Sequence, residues 1–135
     1  MALTGGCLCG RVRYEVTEPL VSASYCHCTR CQRRTGTGSS AQARTAPGAL
    51  TIVSGAELVR EWTPPDEGWA KCFCSACGSA LWSRSRDEPP IFGVRLGSFD
   101  DDPGIRPSYR QYVAYAVPWE PVPDDGLPRY DERLT

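Results

Sequence analysis

Cysteine placement constrains this chain more than any other feature. Eight cysteines occur in 135 residues, and seven form three tight sets: Cys7-x-Cys9, Cys26-x-Cys28-x-x-Cys31 and Cys74-x-x-Cys77, with Cys72 two residues ahead of the last. Thiols spaced this closely can share one ion but can hardly bridge to each other. The opening residues Met1 to Gly6 carry neither a basic stretch nor an apolar run, so no secretory leader is expected. A cytoplasmic location follows as the expectation, and reducing conditions there favour metal binding over disulfides.

Thiolate cages suit zinc, which is held by paired ligands on two turns that the fold brings together. Cys7-Leu8-Cys9-Gly10 and Cys74-Ser75-Ala76-Cys77-Gly78 are two such turns, and grouping Cys7, Cys9, Cys74 and Cys77 gives a closed structural site. Cys26, Cys28 and Cys31 then remain as a second set with a fourth position free for water or substrate. Zinc with three thiolates carries charge -1, and an incoming thiolate deepens it, so cations are needed close by. Arg30, Arg33 and Arg34 lie in the same stretch and are candidate substrate-binding residues, although a solvated helix face explains them equally well.

Other groupings stay open at this level. Cys72 and Cys74 fall on one face of a strand, so Cys72 could close the second cage and leave a non-catalytic zinc module that binds a protein or small ligand. A ribbon of Cys28, Cys31, Cys74 and Cys77 has 42 residues between its pairs, against roughly 15 to 20 usually. His27, set between two presumed ligands, reads as a supporting or surface residue.

Thirteen glycines and twelve prolines punctuate the chain too often for long helices. Alternating or apolar runs predict short strands at 12–16, 23–25, 50–53, 58–62, 80–82, 91–96 and 112–117, hence a mainly β domain. A helical turn is expected at Thr29 to Arg34, closed by Gly36. From Pro118 the acidic, proline-rich tail should wrap over the surface with Trp119 as its anchor, and Trp62, Trp69 and Trp82 should pack in the core or at edges. Fifteen basic against sixteen acidic residues leave no cationic surplus for phosphates, which argues against a nucleic-acid partner. Apolar runs fall short of the roughly 18 residues that a membrane span requires.

Three blocks now identify a resemblance: Gly5-Gly6-Cys7-Leu8-Cys9-Gly10-Arg11-Val12-Arg13-Tyr14, Cys26-His27-Cys28-Thr29-Arg30-Cys31-Gln32-Arg33-Arg34-Thr35-Gly36, and Phe73-Cys74-Ser75-Ala76-Cys77-Gly78-Ser79. In this order, with Pro118-Trp119 and Gly126-Leu127-Pro128-Arg129-Tyr130 following, the chain resembles the glutathione-dependent formaldehyde-activating, or centromere-protein-V-like, family. The resemblance implies one domain over 1–135 with a Mss4-like zinc-binding β-sandwich of short strands and little helix. It implies two zinc ions, a structural one on Cys7, Cys9, Cys74 and Cys77 and a catalytic one on Cys26, Cys28 and Cys31. The implied activity is that of a carbon–sulfur lyase acting on S-(hydroxymethyl)glutathione, with glutathione or a small thiol and an aldehyde as partners. Two features depart from the family pattern: Arg110 stands where relatives often carry histidine, and Cys72 is an additional thiol.

Overall fold

The computed structural model describes residues 2–133. Its strands are β1 (Leu3–Gly6), β2 (Arg13–Val16), β3 (Ser22–Cys26), β4 (Ser40–Arg44), β5 (Leu50–Ser54), β6 (Val59–Trp62), β7 (Ala70–Cys74), β8 (Ala80–Arg84), β9 (Phe92–Arg95), β10 (Arg110–Gln111) and β11 (Arg129–Tyr130). One α-helix, α1 (Thr29–Thr35), interrupts them. The fold is mainly β, as the sequence pattern predicts.

Two sheets form. A small one runs β1-β2-β5, and the large one runs β11-β10-β3-β4-β9-β8-β7-β6. Pairing is antiparallel except around β10, which lies parallel to both β3 and β11. A bridge from Gly5 to Phe99 links β1 to the segment that follows β9.

The core lies between the sheets because alternate residues of facing strands are apolar. Val12, Tyr14 and Val16 from the small-sheet side meet Leu81, Trp82, Phe92 and Val94 from the large one, all buried. Trp82 is the centre: its ring sits 5.6 Å from Tyr14 and edge-on to Phe92 at 5.8 Å. Burying each such side chain contributes about 1.5–3 kcal/mol. The buried Tyr14 hydroxyl is satisfied by Ser98 Oγ at 2.7 Å.

The opposite face of the large sheet is polar. Ser24 on β3, Gln42 on β4, Arg95 on β9, Ser83 on β8 and Lys71 on β7 share it, and pairing places Gln42 opposite Arg95 and Lys71 opposite Ser83. This face, rather than the core, carries the chemistry.

Several expectations change. The 112–117 run is not a strand: Tyr112 takes a left-handed φ of 58°, which ends β10, and a 3-10 turn Val113–Tyr115 follows. The tail does cross the surface and adds β11, but Trp119 is 67% exposed and anchors nothing. Of the other tryptophans, Trp82 is core, Trp62 lies exposed on edge strand β6, and Trp69 stands against the Arg44 guanidinium, 4.9 Å from its ring centre.

Candidate metal centres and an adjoining cleft

The first centre joins two turns of the same design. Gly10 and Gly78 both take φ of 80°, a left-handed turn that glycine adopts without steric cost. Their amides return to the Cys7 and Cys74 carbonyls at 3.1 and 2.7 Å. Each turn thus presents two thiols, and the Sγ atoms of Cys7, Cys9, Cys74 and Cys77 lie within 4.8 Å of one another. A tetrahedron with metal–sulfur bonds of about 2.3 Å has edges of about 3.8 Å. The Cys7–Cys9 and Cys9–Cys74 distances of 3.5 and 4.0 Å bracket that value, so the donor set fits a thiophilic ion. Val12 N–H donates to Cys7 Sγ at 3.3 Å, and Ser79 hydrogen bonds pull the Cys77 thiol down to about 5, both favouring the thiolate a metal requires.

The second centre is local. Cys26 ends β3, Cys28 caps α1 by accepting the Cys31 N–H on its sulfur at 3.3 Å, and Cys31 follows one turn later. Strand end and helix start therefore aim three sulfurs at one point, again within 4.8 Å of one another. Hydrogen bonds from the Cys26 and Cys28 thiols hold Cys31 far below the ordinary thiol range, with further support from Ser40 and the Arg95 charge.

All three sulfurs open into a cleft of about 280 Å³ on the polar face of the large sheet. Arg30, Arg44, Lys71 and Arg95 line it, Trp69 and Tyr109 form walls, and no carboxylate lines it among the described residues. Arg30 pairs with Asp66 at 2.7 Å. Burial pushes both Lys71 and Arg95 below their ordinary values, as expected for desolvated cations.

The remaining candidates separate. Of the three helix arginines only Arg30 reaches the cleft. Arg33 is exposed outside it, and Arg34 turns away to donate to the Cys72 and Trp82 carbonyls at 3.1 and 2.9 Å. Cys72 joins neither sulfur group; it lies on β7 with its side chain buried in the core, Glu61 Oε2 is 3.5 Å away, and burial raises its pKa to about 12. The cage that Cys72 would close is thus absent among the described residues. His27 is buried rather than at the surface, with Nε2 at 3.2 Å from Arg110 Nη1. Lys71, Arg44 and Arg95 were not foreseen as lining residues: each lies on a different strand, and only sheet pairing brings them together.

The match to known proteins covers this architecture. Residues 2–115 fit the family described as glutathione-dependent formaldehyde-activating enzyme. A Halomonas elongata protein whose name assigns it to that family is 33% identical over 107 residues, spanning 76% of this chain and 68% of that protein. The crystal structure of a Rhodobacter sphaeroides protein superposes with a TM-score of 0.62 at 25% identity, covering 94% of this chain and 98% of the other. The family match over most of the chain and the sequence identity agree: this chain belongs to the glutathione-dependent formaldehyde-activating enzyme family.

Proposed function

We propose that the chain is a single-domain, zinc-dependent carbon–sulfur lyase-type enzyme that joins glutathione, or a related small thiol, to an aldehyde, as in S-(hydroxymethyl)glutathione formation. One observation carries the reading: the three sulfurs of Cys26, Cys28 and Cys31 face a cleft supplied with four cations and, among the described residues, no acid. A zinc ion held there would supply Lewis acidity that favours the thiolate form of an incoming thiol. The other set, on Cys7, Cys9, Cys74 and Cys77, would contribute folding energy by tying the N-terminal turn to the β7–β8 turn.

The chain's own residues do the rest. Arg30, Arg44, Lys71 and Arg95 give the cleft a positive potential that draws in an anionic thiol substrate, in a setting where partial burial strengthens each interaction. Trp69 and Tyr109 narrow the cleft beside the sulfurs. The balance is simple: the thiol sulfur forms the bond to the carbonyl carbon, its proton is released, and the former carbonyl oxygen takes one up.

Zinc content of the gently purified protein, calorimetry against glutathione, and the rate of adduct formation above the uncatalysed reaction test this together. Two zinc ions, glutathione binding, and loss of that binding in Cys31→Ser are expected. Two tightly held ions with no thiol binding would overturn the reading.

A further inference from the structure

Ser83 Oγ on β8 collects an unusual set of neighbours. Lys71 Nζ lies 3.4 Å away, Arg95 Nη2 3.5 Å and Arg34 Nη1 3.4 Å. A hydroxyl offers two lone pairs, so it cannot satisfy three cationic donors, and all three distances sit at the long limit of hydrogen bonding. Arg34 is satisfied elsewhere by two backbone carbonyls. Lys71 and Arg95 are not so provided. Among the described residues neither forms an ion pair, Arg95 is otherwise held only by Gln42 Oε1 at 3.0 Å, and its Nε is buried without a partner.

Like charges held at one point cost free energy unless an anion joins them. Both Lys71 and Arg95 line the cleft that the three sulfurs open into, so an anion reaching them is in the same space as those sulfurs. We propose that Lys71, Arg95 and the Ser83 hydroxyl form a carboxylate subsite that fixes the acid group of the thiol substrate. The preferred substrates are therefore thiol acids, and neutral thiols of the same length are disfavoured. This rests on the reading of the cleft as a thiol site and adds the groups that select among thiols. The two cations touch the acid group, not the reacting sulfur.

The test uses a pair of equal carbon-chain length, 3-mercaptopropionate and 3-mercaptopropan-1-ol, titrated calorimetrically into the zinc-bearing protein. The acid should bind at least about tenfold more tightly, the size expected of charge-assisted hydrogen bonds. Lys71→Gln and Arg95→Gln should each remove most of that preference while zinc content and melting temperature stay near those of the parent, and Lys71→Arg should retain it. Equal binding of acid and alcohol by the parent protein overturns the subsite and leaves the thiol reading standing. Loss of zinc in Lys71→Gln and Arg95→Gln also overturns it, because the cations would then serve the cysteine thiolates. Failure of both compounds to bind removes the thiol reading itself, and the subsite with it.

Discussion

The Arg110 guanidinium pairs with the Asp125 carboxylate at 2.8 Å, on the side of β10 that turns away from the cleft. It also lies 4.2 Å from the Tyr25 ring centre and contacts His27, so one side chain ties the tail to the back of β3. Arg110 thus acts on the tail rather than on the thiols.

Asp125→Asn is expected to lower the melting temperature at neutral pH, because it leaves a buried guanidinium without its counter-charge. The Arg110 hydrogen bond holds the Asp125 carboxyl below its ordinary range. A depressed folded pKa gives stabilisation that is complete above the unfolded value of about 3.9 and is lost as pH falls through the folded one. The difference between variant and parent should therefore close in acid, and melts recorded from neutral pH downward check it.

Cys72→Ala should keep both metal equivalents and lose about 1 kcal/mol from the small cavity it opens. In the parent protein, a thiol whose pKa is raised to about 12 should resist alkylation until the chain unfolds. Cys31→Ser, in contrast, should cost one metal equivalent while preserving the fold. Metal analysis of the two variants side by side separates a bystander thiol from a ligand.

At Gly5 a methyl group would run into the Ser98 carbonyl and the Tyr14 hydroxyl, beside the bridge to Phe99. Gly5→Ala should destabilise the protein by about 1–3 kcal/mol through overpacking. Gly97→Ala, where a methyl would meet nothing within 4 Å, should stay within about 0.5 kcal/mol. Denaturant unfolding of the pair measures the contrast.

Arg34→Met should cost about 1–3 kcal/mol, since it leaves the Cys72 and Trp82 carbonyls unpaired beside the register shift between β7 and β8. Lysine should restore part of the loss, because its ammonium can donate to both carbonyls as Arg34 Nη2 does but cannot also supply the contact that Nη1 makes to Ser83. Unfolding free energies of the two variants decide it.

The sulfur centres were legible because their ligands come as local pairs with glycines that set the turn. Strands β2, β5 and β9 were legible from apolar alternation, and α1 from its Gly36 cap. By contrast, β4 reads Ser-Ala-Gln-Ala-Arg and β7 reads Ala-Lys-Cys-Phe-Cys, with polar residues that belong to the cleft where an alternation search expects a plain solvent face. The position of Arg34 was not legible, because its partners are backbone carbonyls 38 and 48 residues away, which no side-chain pattern records. Lys71 and Arg95 become neighbours only when β7, β8 and β9 pair, so their convergence on Ser83 is a property of strand register.

The two sulfur sets also differ in when they can exist. Cys26, Cys28 and Cys31 span six residues, so a newly made chain could seize an ion there before any sheet has closed. Cys9 and Cys74 are 65 residues apart and meet only after both halves have docked. Capture of the second ion therefore marks the completion of folding, and a cell short of metal would accumulate molecules already loaded at the cleft but still unfastened at the N-terminal turn.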